Sequence, residues 1–210
     1  MKATAVLISG NGTNLAALIN FWKKGGSNYD LKLVISNNPG VKGLERAAEV
    51  GIKTLVLDHR DYPSREEYDQ GINHALEAQG IELIALAGFL RLLSTPFVVK
   101  WSGKMINIHP SLLPAFAGLH AHEKALQYGV KYSGCTVIFV DEGVDSGAVI
   151  DQAVVPLFED DDVEKLARRV LVEEHRIFPM ALDDVASGKV RLEAGKVVRQ
   201  SGEATNNPRL

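Results

Sequence analysis

The chain alternates short apolar runs rich in β-branched residues with segments of helical spacing, and this alternation limits the fold more than any other feature. Strand candidates cover residues 3–8, 31–36, 53–57, 81–87 and 105–108. Strands that alternate with helices predict βαβ units, which build a parallel sheet with helices on both faces. The run 81–87 is almost entirely apolar, as expected for a strand covered on both faces. We therefore predict an α/β, Rossmann-like fold with an open, mostly parallel sheet.

The pattern changes after about residue 132. Residues 134–140 and 148–156 are two longer strand candidates with a tight connection, which predicts an antiparallel C-terminal edge on the sheet. A long helix is predicted from Val163, followed by a hairpin that pairs residues 190–192 with 197–199.

Length, charge and cysteine usage restrict the function. At 210 residues, against roughly 150 for a typical domain, the chain is expected to form one domain over residues 1–200 and a frayed polar tail over 201–210. A formal charge of -3 provides no general positive field, which argues against nucleic acid or a membrane as a partner. The single cysteine, Cys135, fits a reducing compartment, and the apolar run 3–8 is too short for a secretion signal. We expect a soluble cytoplasmic protein.

The first strand runs into a glycine-rich turn, residues 9–14 (SGNGTN), ahead of a helical pattern. Free N–H groups and the helix dipole make such a turn an anion site. Leu15 replaces the third glycine of a dinucleotide-binding turn, and the Gly-Lys-Ser/Thr of a P-loop is absent. The turn therefore predicts a seat for a single phosphate, with donors from Gly12, Thr13 and Asn14. An ordinary βα turn remains the alternative.

Asn107 and His109 are two residues apart in the strand candidate 105–108 and its continuation, so their side chains share one face. They stand at the carboxyl end of a strand, where open α/β sheets bind their ligands. An amide and an imidazolium in one crevice are donors suited to a developing oxyanion, and no positioned nucleophile accompanies them. A histidine hydrogen-bonded within the core is the alternative.

Two acidic residues are further candidates. Asp145 lies in the loop 141–147 (DEGVDSG), where a solvated turn residue is the ordinary expectation. If the loop folded back over His109, the carboxylate would favour the charged imidazole and complete an acid/base pair. Glu174 falls in the apolar stripe formed by residues 163, 166, 170 and 177, so it should face the sheet and could hold an amine or a ribose hydroxyl. The alternative is that the stripe reaches the edge of the core at that turn.

His120 and His122 could suit a metal by their spacing, but no carboxylate or thiolate cluster joins them. A structural or substrate-lining role is the better interpretation, and no metal site is predicted.

Several motifs together resemble those of the glycinamide ribonucleotide (phosphoribosylglycinamide) formyltransferases, folate-dependent enzymes of purine synthesis. The similarity runs in order from the first strand to about Glu174. The motifs are residues 9–15 (SGNGTNL), 64–66 (SRE), 87–93 (AGFLRLL), 107–114 (NIHPSLLP), 118–122 (GLHAH) and Asp145-x-Gly147. Leu90 stands where a methionine is frequent in the family, and Ser146 where a glycine is common.

The resemblance implies a formyltransferase fold and a set of site residues. Asn107, His109 and Asp145 would be catalytic. Substrate-binding residues would be Gly12, Thr13, Asn14, Leu15 and Glu174. The site for 10-formyltetrahydrofolate, the formyl-donating cosubstrate, would comprise Arg65, Leu90, Arg91, Leu92, Leu93, Val98, Asn107, Val140, Asp141, Glu142, Gly143, Val144 and Asp145.

The implied reaction is direct attack of the amine of 5-phosphoribosylglycinamide on the formyl carbon, through a tetrahedral intermediate whose oxyanion is held by His109 and Asn107. The implied partners are small molecules only, and the protein would be a monomer or a homodimer. Two related enzymes are alternatives: formyltetrahydrofolate hydrolase, which carries a preceding regulatory domain whereas the first strand here begins at residue 3, and methionyl-tRNA formyltransferase, which carries an extra C-terminal domain. A non-catalytic phosphoribosyl- or folate-binding module is the alternative from another class.

Overall fold

A seven-stranded sheet organises residues 1–200, the part of the chain that this computed structural model describes. The strand order is β3-β2-β1-β4-β5-β6-β7. The strands are β1 (Lys2–Ile8), β2 (Tyr29–Ser36), β3 (Lys53–Val56), β4 (Leu83–Leu86), β5 (Met105–His109), β6 (Tyr132–Phe139) and β7 (Val149–Pro156). The first five are mutually parallel, whereas β6 runs antiparallel to both β5 and β7. The predicted mostly parallel sheet with an antiparallel C-terminal edge is confirmed.

Six α-helices cover the two faces of the sheet within the described range. They are α1 (Thr13–Lys23), α2 (Lys42–Glu49), α3 (Arg65–Ala78), α4 (Thr95–Lys100), α5 (Ala121–Tyr128) and α6 (Val163–Ala186). Side chains of β1 alternate between two apolar cores: Val6 and Ile8 face α1, α2, α5 and α6, while Ala5 and Leu7 face α3 and α4. Burial on both faces explains why the central strands are so uniformly apolar.

Helix starts follow the local sequence. The Ser64 hydroxyl accepts a hydrogen bond from the Glu67 amide at 3.1 Å, and the Asp162 carboxylate accepts one from the Lys165 amide at 2.7 Å. Each cap satisfies an amide that the helix itself leaves free, worth about 1 kcal/mol. These caps fix the first residues of α3 and α6, the two helices that carry Arg65 and Glu174.

The chain ends, within the described range, in the predicted hairpin. Strands β8 (Val190–Glu193) and β9 (Lys196–Arg199) form a separate two-stranded antiparallel sheet. Val190 is buried in the core beneath α6, with Leu192 and Val197 packed against it. No helix in residues 1–200 is both long and apolar enough to cross a bilayer. The predicted frayed tail, 201–210, lies outside the described residues.

Candidate active site

A cavity of about 680 Å³ opens where β1, β4 and β5 end. This is the carboxyl edge of the parallel strands, the usual position for ligands in open α/β sheets. Most of the walls come from the segment after β4, the end of β5 with the segment that follows it, the loop between β6 and β7, and the inner face of α6, with single residues from α1, α3 and α4. Its lining includes Asn14, Arg65, residues 88–93, Val98, residues 107–110, residues 118–121, residues 140–145 and Glu174.

The three predicted catalytic side chains contact one another in the wall of this cavity. Asp145 Oδ2 lies 3.1 Å from His109 Nδ1, and Asn107 Nδ2 donates to Asp145 Oδ1 at 3.3 Å. The Gly118 amide donates a third hydrogen bond to Asp145 Oδ2 at 2.8 Å. Both His109 and Asp145 are largely buried, with 7% and 14% of their side chains exposed. The loop folds back over the imidazole, and Asp145 is not the solvated turn residue that the local sequence favours.

The backbone explains how the loop reaches that position. Strand β6 pairs antiparallel with β5, so Phe139, its last residue, lies opposite Ile106 rather than at the carboxyl edge. The loop must then return along the sheet to bring Asp145 to His109. Asp145 adopts a left-handed backbone with φ of 51°, a conformation that aspartate tolerates better than most residues. Gly147 lies so close to the Phe139 carbonyl that a side chain there would clash.

The imidazole of His109 has an acceptor at each ring nitrogen. Besides the carboxylate at Nδ1, the main-chain carbonyl of Phe116 lies 3.1 Å from Nε2. Only an imidazolium can donate to both oxygens at once. Sequence reasoning did not identify Phe116, which follows a run of loop residues and has an unusual φ of 54°. In this arrangement the imidazole has no N–H directed at the cavity, whereas Asn107 keeps a second amide hydrogen.

Glu174 lies on the inner face of α6, as the apolar stripe predicts, and only 7% of it is exposed. Val163, the first member of that stripe, is exposed. Asn14 Nδ2 donates to Glu174 Oε2 at 2.7 Å, which joins the start of α1 to α6. Burial raises the pKa of Glu174, and the hydrogen bond from Asn14 opposes that shift. The side-chain oxygen of Asn14 is buried without a partner among the described residues, so the pair has hydrogen-bonding capacity left for a ligand.

The glycine turn leads directly into α1. Gly12 is the residue before the helix, with φ of 67°, and no side chain caps the helix, so its first amides stay free for an anion. A side chain at Gly12 would meet the Gly43 main chain at 2.7 Å, because the start of α2 packs against the turn. Of the predicted phosphate residues only Asn14 lines the cavity; Gly12 and Thr13 lie just outside it. The side chain of Leu15 is fully buried in the core, which leaves only its amide to face a ligand.

All the positions implied for the folate site line the same cavity. Leu90 and Leu92 are 72% and 63% exposed, which is unusual for leucine and gives the cavity an apolar wall. Across from it, Ser146 Oγ donates to Asp141 Oδ1 at 2.8 Å and braces the loop between β6 and β7. His120 also lines the cavity, whereas His122 does not. Residues 1–200 contain no group of three or more histidine, cysteine or acidic side chains that could hold a metal ion.

Comparisons with known proteins identify the family of the chain. The formyl transferase family profile matches residues 2–182. The phosphoribosylglycinamide formyltransferase of Escherichia coli K12 is 41% identical over 187 residues, which cover 89% of this chain and 88% of that protein. The crystal structure of glycinamide ribonucleotide transformylase 1 from Symbiobacterium toebii superposes with a TM-score of 0.92 at 45% identity, over 95% of this chain and 94% of that one.

Longer proteins also match. The trifunctional purine biosynthetic protein adenosine-3 of Gallus gallus is 56% identical over 194 residues, 92% of this chain, but the chain spans only 19% of that protein's length. The bacterial relative, in contrast, is covered over nearly its whole length. On the profile match and that relative, the chain belongs to the formyl transferase family, in the group of the phosphoribosylglycinamide formyltransferases.

Proposed function

We propose that the protein transfers the formyl group of 10-formyltetrahydrofolate to the amine of 5-phosphoribosylglycinamide, a step of purine biosynthesis. The observation that carries the proposal is the hydrogen-bonded group of Asn107, His109 and Asp145 in the wall of the cavity. Pure binding needs no amide and imidazole beside a buried carboxylate. Formyl transfer does, because an oxyanion and a migrating proton must both be stabilised.

In the proposed mechanism the amine attacks the formyl carbon directly, and no acyl-enzyme forms. The second amide hydrogen of Asn107 faces the developing oxyanion. His109 contributes once its Nε2–H leaves the Phe116 carbonyl, 3.1 Å away, for the substrate oxygen. The Asp145 carboxylate, 3.1 Å from Nδ1, orients the ring and stabilises positive charge on it during this exchange. A proton then passes from the attacking amine to the folate nitrogen that leaves.

The two substrates would occupy opposite sides of the cavity. The free amides at the start of α1 suit the phosphate of phosphoribosylglycinamide, and the Asn14–Glu174 pair suits its polar sugar or amine. Leu90 and Leu92 offer an apolar wall to the folate ring. A volume of about 680 Å³ falls within the range of roughly 300–1,000 Å³ that is usual for small-molecule sites. Grip on the remote phosphate would help to align the amine for attack.

Domain organisation, cellular location and oligomeric state are also part of what we propose. Residues 1–200 would act as one catalytic domain, because the hairpin β8–β9 packs on the same core as the sheet. We also propose a cytoplasmic location, in keeping with a single, buried cysteine. The active unit would be a monomer or a homodimer, which sedimentation equilibrium would distinguish.

One assay tests the reaction. The protein is mixed with 10-formyltetrahydrofolate, with and without phosphoribosylglycinamide, and release of tetrahydrofolate is followed together with formation of the formylated product. The proposal expects release only when the amine is present. Equal release without the amine would indicate a hydrolase, and no release in either case would indicate a binding module.

A further inference from the structure

The segment between β4 and α4 presents its most exposed apolar residues to the cavity. Leu90 and Leu92 keep 72% and 63% of their surface accessible, although leucine is ordinarily buried. Leu90 and Leu92 contribute little packing energy in this exposed position, so other contacts must hold the backbone of the loop in place. Two buried polar side chains do so, one at each end.

Ser9 holds the first end. Its hydroxyl accepts a hydrogen bond from the Leu90 amide at 2.8 Å, while its own amide donates to the Gly88 carbonyl at 3.0 Å. Ser9 is 8% exposed and is itself fixed from behind, because Asn38 Nδ2 donates to its carbonyl at 2.8 Å. The first residue of the glycine-rich turn is therefore bonded directly to the segment that follows β4.

Asp69 holds the second end. Its Oδ2 accepts a hydrogen bond from the Ser94 amide at 2.6 Å, one residue before α4 begins. Asp69 is only 2% exposed, and its other carboxylate oxygen has no hydrogen-bond partner among the described residues. Burial raises the pKa of Asp69, with the Ser94 hydrogen bond acting in the opposite direction. A buried carboxylate is costly unless it is hydrogen-bonded, and Asp69 is hydrogen-bonded to the main chain and side chain of Ser94.

Between these two points Leu93 packs partly against the core covered by α3 and α4, whereas Leu90 and Leu92 are exposed. Within residues 1–200, no side chain other than those of Ser9 and Asp69 forms a hydrogen bond with the main chain of residues 90–94. Loss of either contact would leave a main-chain amide without its partner and free one end of the segment. The entropy cost of ordering the loop would then arise when a ligand binds, and it would lower the affinity for that ligand.

We propose that Ser9 and Asp69 are positioning residues that hold the segment of residues 90–93 in the shape that receives the folate cosubstrate. This inference rests on the proposed function for the identity of the ligand. Neither residue lines the cavity, so each acts through the backbone of the segment. Ser9 has a further consequence, because it joins the turn proposed for the phosphate to the wall proposed for the folate.

The test compares Ser9→Ala and Asp69→Ala with two controls. Asp69→Asn keeps an oxygen that can accept from Ser94. Ser27→Ala removes another buried serine hydroxyl, 6% exposed, which donates to the Tyr29 carbonyl at 2.8 Å and does not line the cavity. We expect KM for 10-formyltetrahydrofolate to rise about tenfold in the two alanine variants that lose an anchor. KM for phosphoribosylglycinamide should stay within about twofold, and Asp69→Asn and Ser27→Ala should match the wild-type protein.

Amide hydrogen exchange gives a readout that does not depend on activity. The amides of Leu90 and Ser94 should exchange faster in Ser9→Ala and Asp69→Ala, respectively, and folate should restore part of the protection. Unchanged folate KM together with unchanged exchange would overturn the inference, as would an equal rise of both KM values in the anchor variants. If the wild-type protein shows no transfer, the proposed function fails separately, and folate binding followed by fluorescence still tests the anchors.

Discussion

Replacement of Asp145 by asparagine isolates the charge of the carboxylate from its shape. The aspartate accepts from Asn107, His109 and Gly118. In Asp145→Asn, the side-chain oxygen can still accept hydrogen bonds from His109 and Gly118. The new amide nitrogen can donate to Asn107 if the Asn107 side chain rotates so that its oxygen faces residue 145. Asparagine also tolerates the left-handed backbone, φ of 51°, at this position. The variant should therefore fold with the loop in place and lose mainly the negative charge beside the imidazole.

The size of the effect follows from the distance. A unit charge pair at 3.1 Å is worth about 5 kcal/mol at an effective dielectric constant near 20. Because 14% of the Asp145 side chain is exposed, solvent screens part of this energy, so we expect the transition state to lose about 3–4 kcal/mol of electrostatic stabilisation. At 1.36 kcal/mol for each tenfold change, turnover should fall by roughly 200- to 1,000-fold. The free energy of unfolding should fall by only about 1 kcal/mol, because a charge-assisted hydrogen bond becomes a neutral one.

The measurement combines turnover at saturating concentrations of both substrates with urea unfolding. Asp162→Asn is the matched control, since Asp162 also accepts a backbone hydrogen bond, at 2.7 Å from the Lys165 amide, and asparagine is an equally good helix cap. A turnover for Asp145→Asn within threefold of the wild-type value, at unchanged stability, would refute the electrostatic role assigned to the carboxylate.

Three further outcomes are expected. Because burial raises the pKa of Glu174, the native protein binds a proton more tightly there than the unfolded chain, and its stability falls as pH rises through that raised pKa. Glu174→Gln, which can still accept from Asn14, should therefore lose less stability than the wild-type protein between pH 5 and 8, as measured by thermal unfolding. Its KM for phosphoribosylglycinamide should rise at least about tenfold. Gly43→Ala should destabilise the protein by about 1–3 kcal/mol and raise the same KM, because the new methyl group would collide with Ile8 Cδ1, lie 3.0 Å from the Gly10 carbonyl oxygen and press on Gly12. Cys135 is fully buried, and burial raises the pKa of its thiol, so a disulfide reagent at pH 8 should label it only as fast as the protein unfolds.

The parallel half of the molecule could be predicted because each element there is marked locally. Short runs rich in apolar and β-branched residues became β1, β2, β4 and β5, and the serine before α3 became its cap. The two-residue alternation placed Asn107 and His109 on one face, and the helical spacing in α6 placed Glu174 toward the sheet. In each case a short-range rule determines where the side chain points.

The remaining part of the site depends on contacts between distant segments. The reversal of β6 takes the chain away from the carboxyl edge. No local sequence pattern predicts that the following loop returns and brings Asp145 to within 3.1 Å of His109. Phe116 contributes a main-chain carbonyl, which any residue type would supply. Ser9 and Asp69 act on backbone amides of a loop that is far from them in sequence. A main-chain partner places no requirement on the type of the residue that supplies it. For this reason the sequence alone did not identify the roles of these positions.

Asp145 lies in the loop between β6 and β7 and accepts hydrogen bonds from β5 and from the segment that follows β5. Any insertion or deletion between residues 110 and 120, or between 140 and 148, would displace a donor or the acceptor and disturb the imidazole. The connections around residues 24–26 and 157–160 carry no such constraint, because neither borders the cavity. Length differences among active relatives should therefore collect in those outer connections, and engineered tags or epitopes inserted within the chain are best placed there.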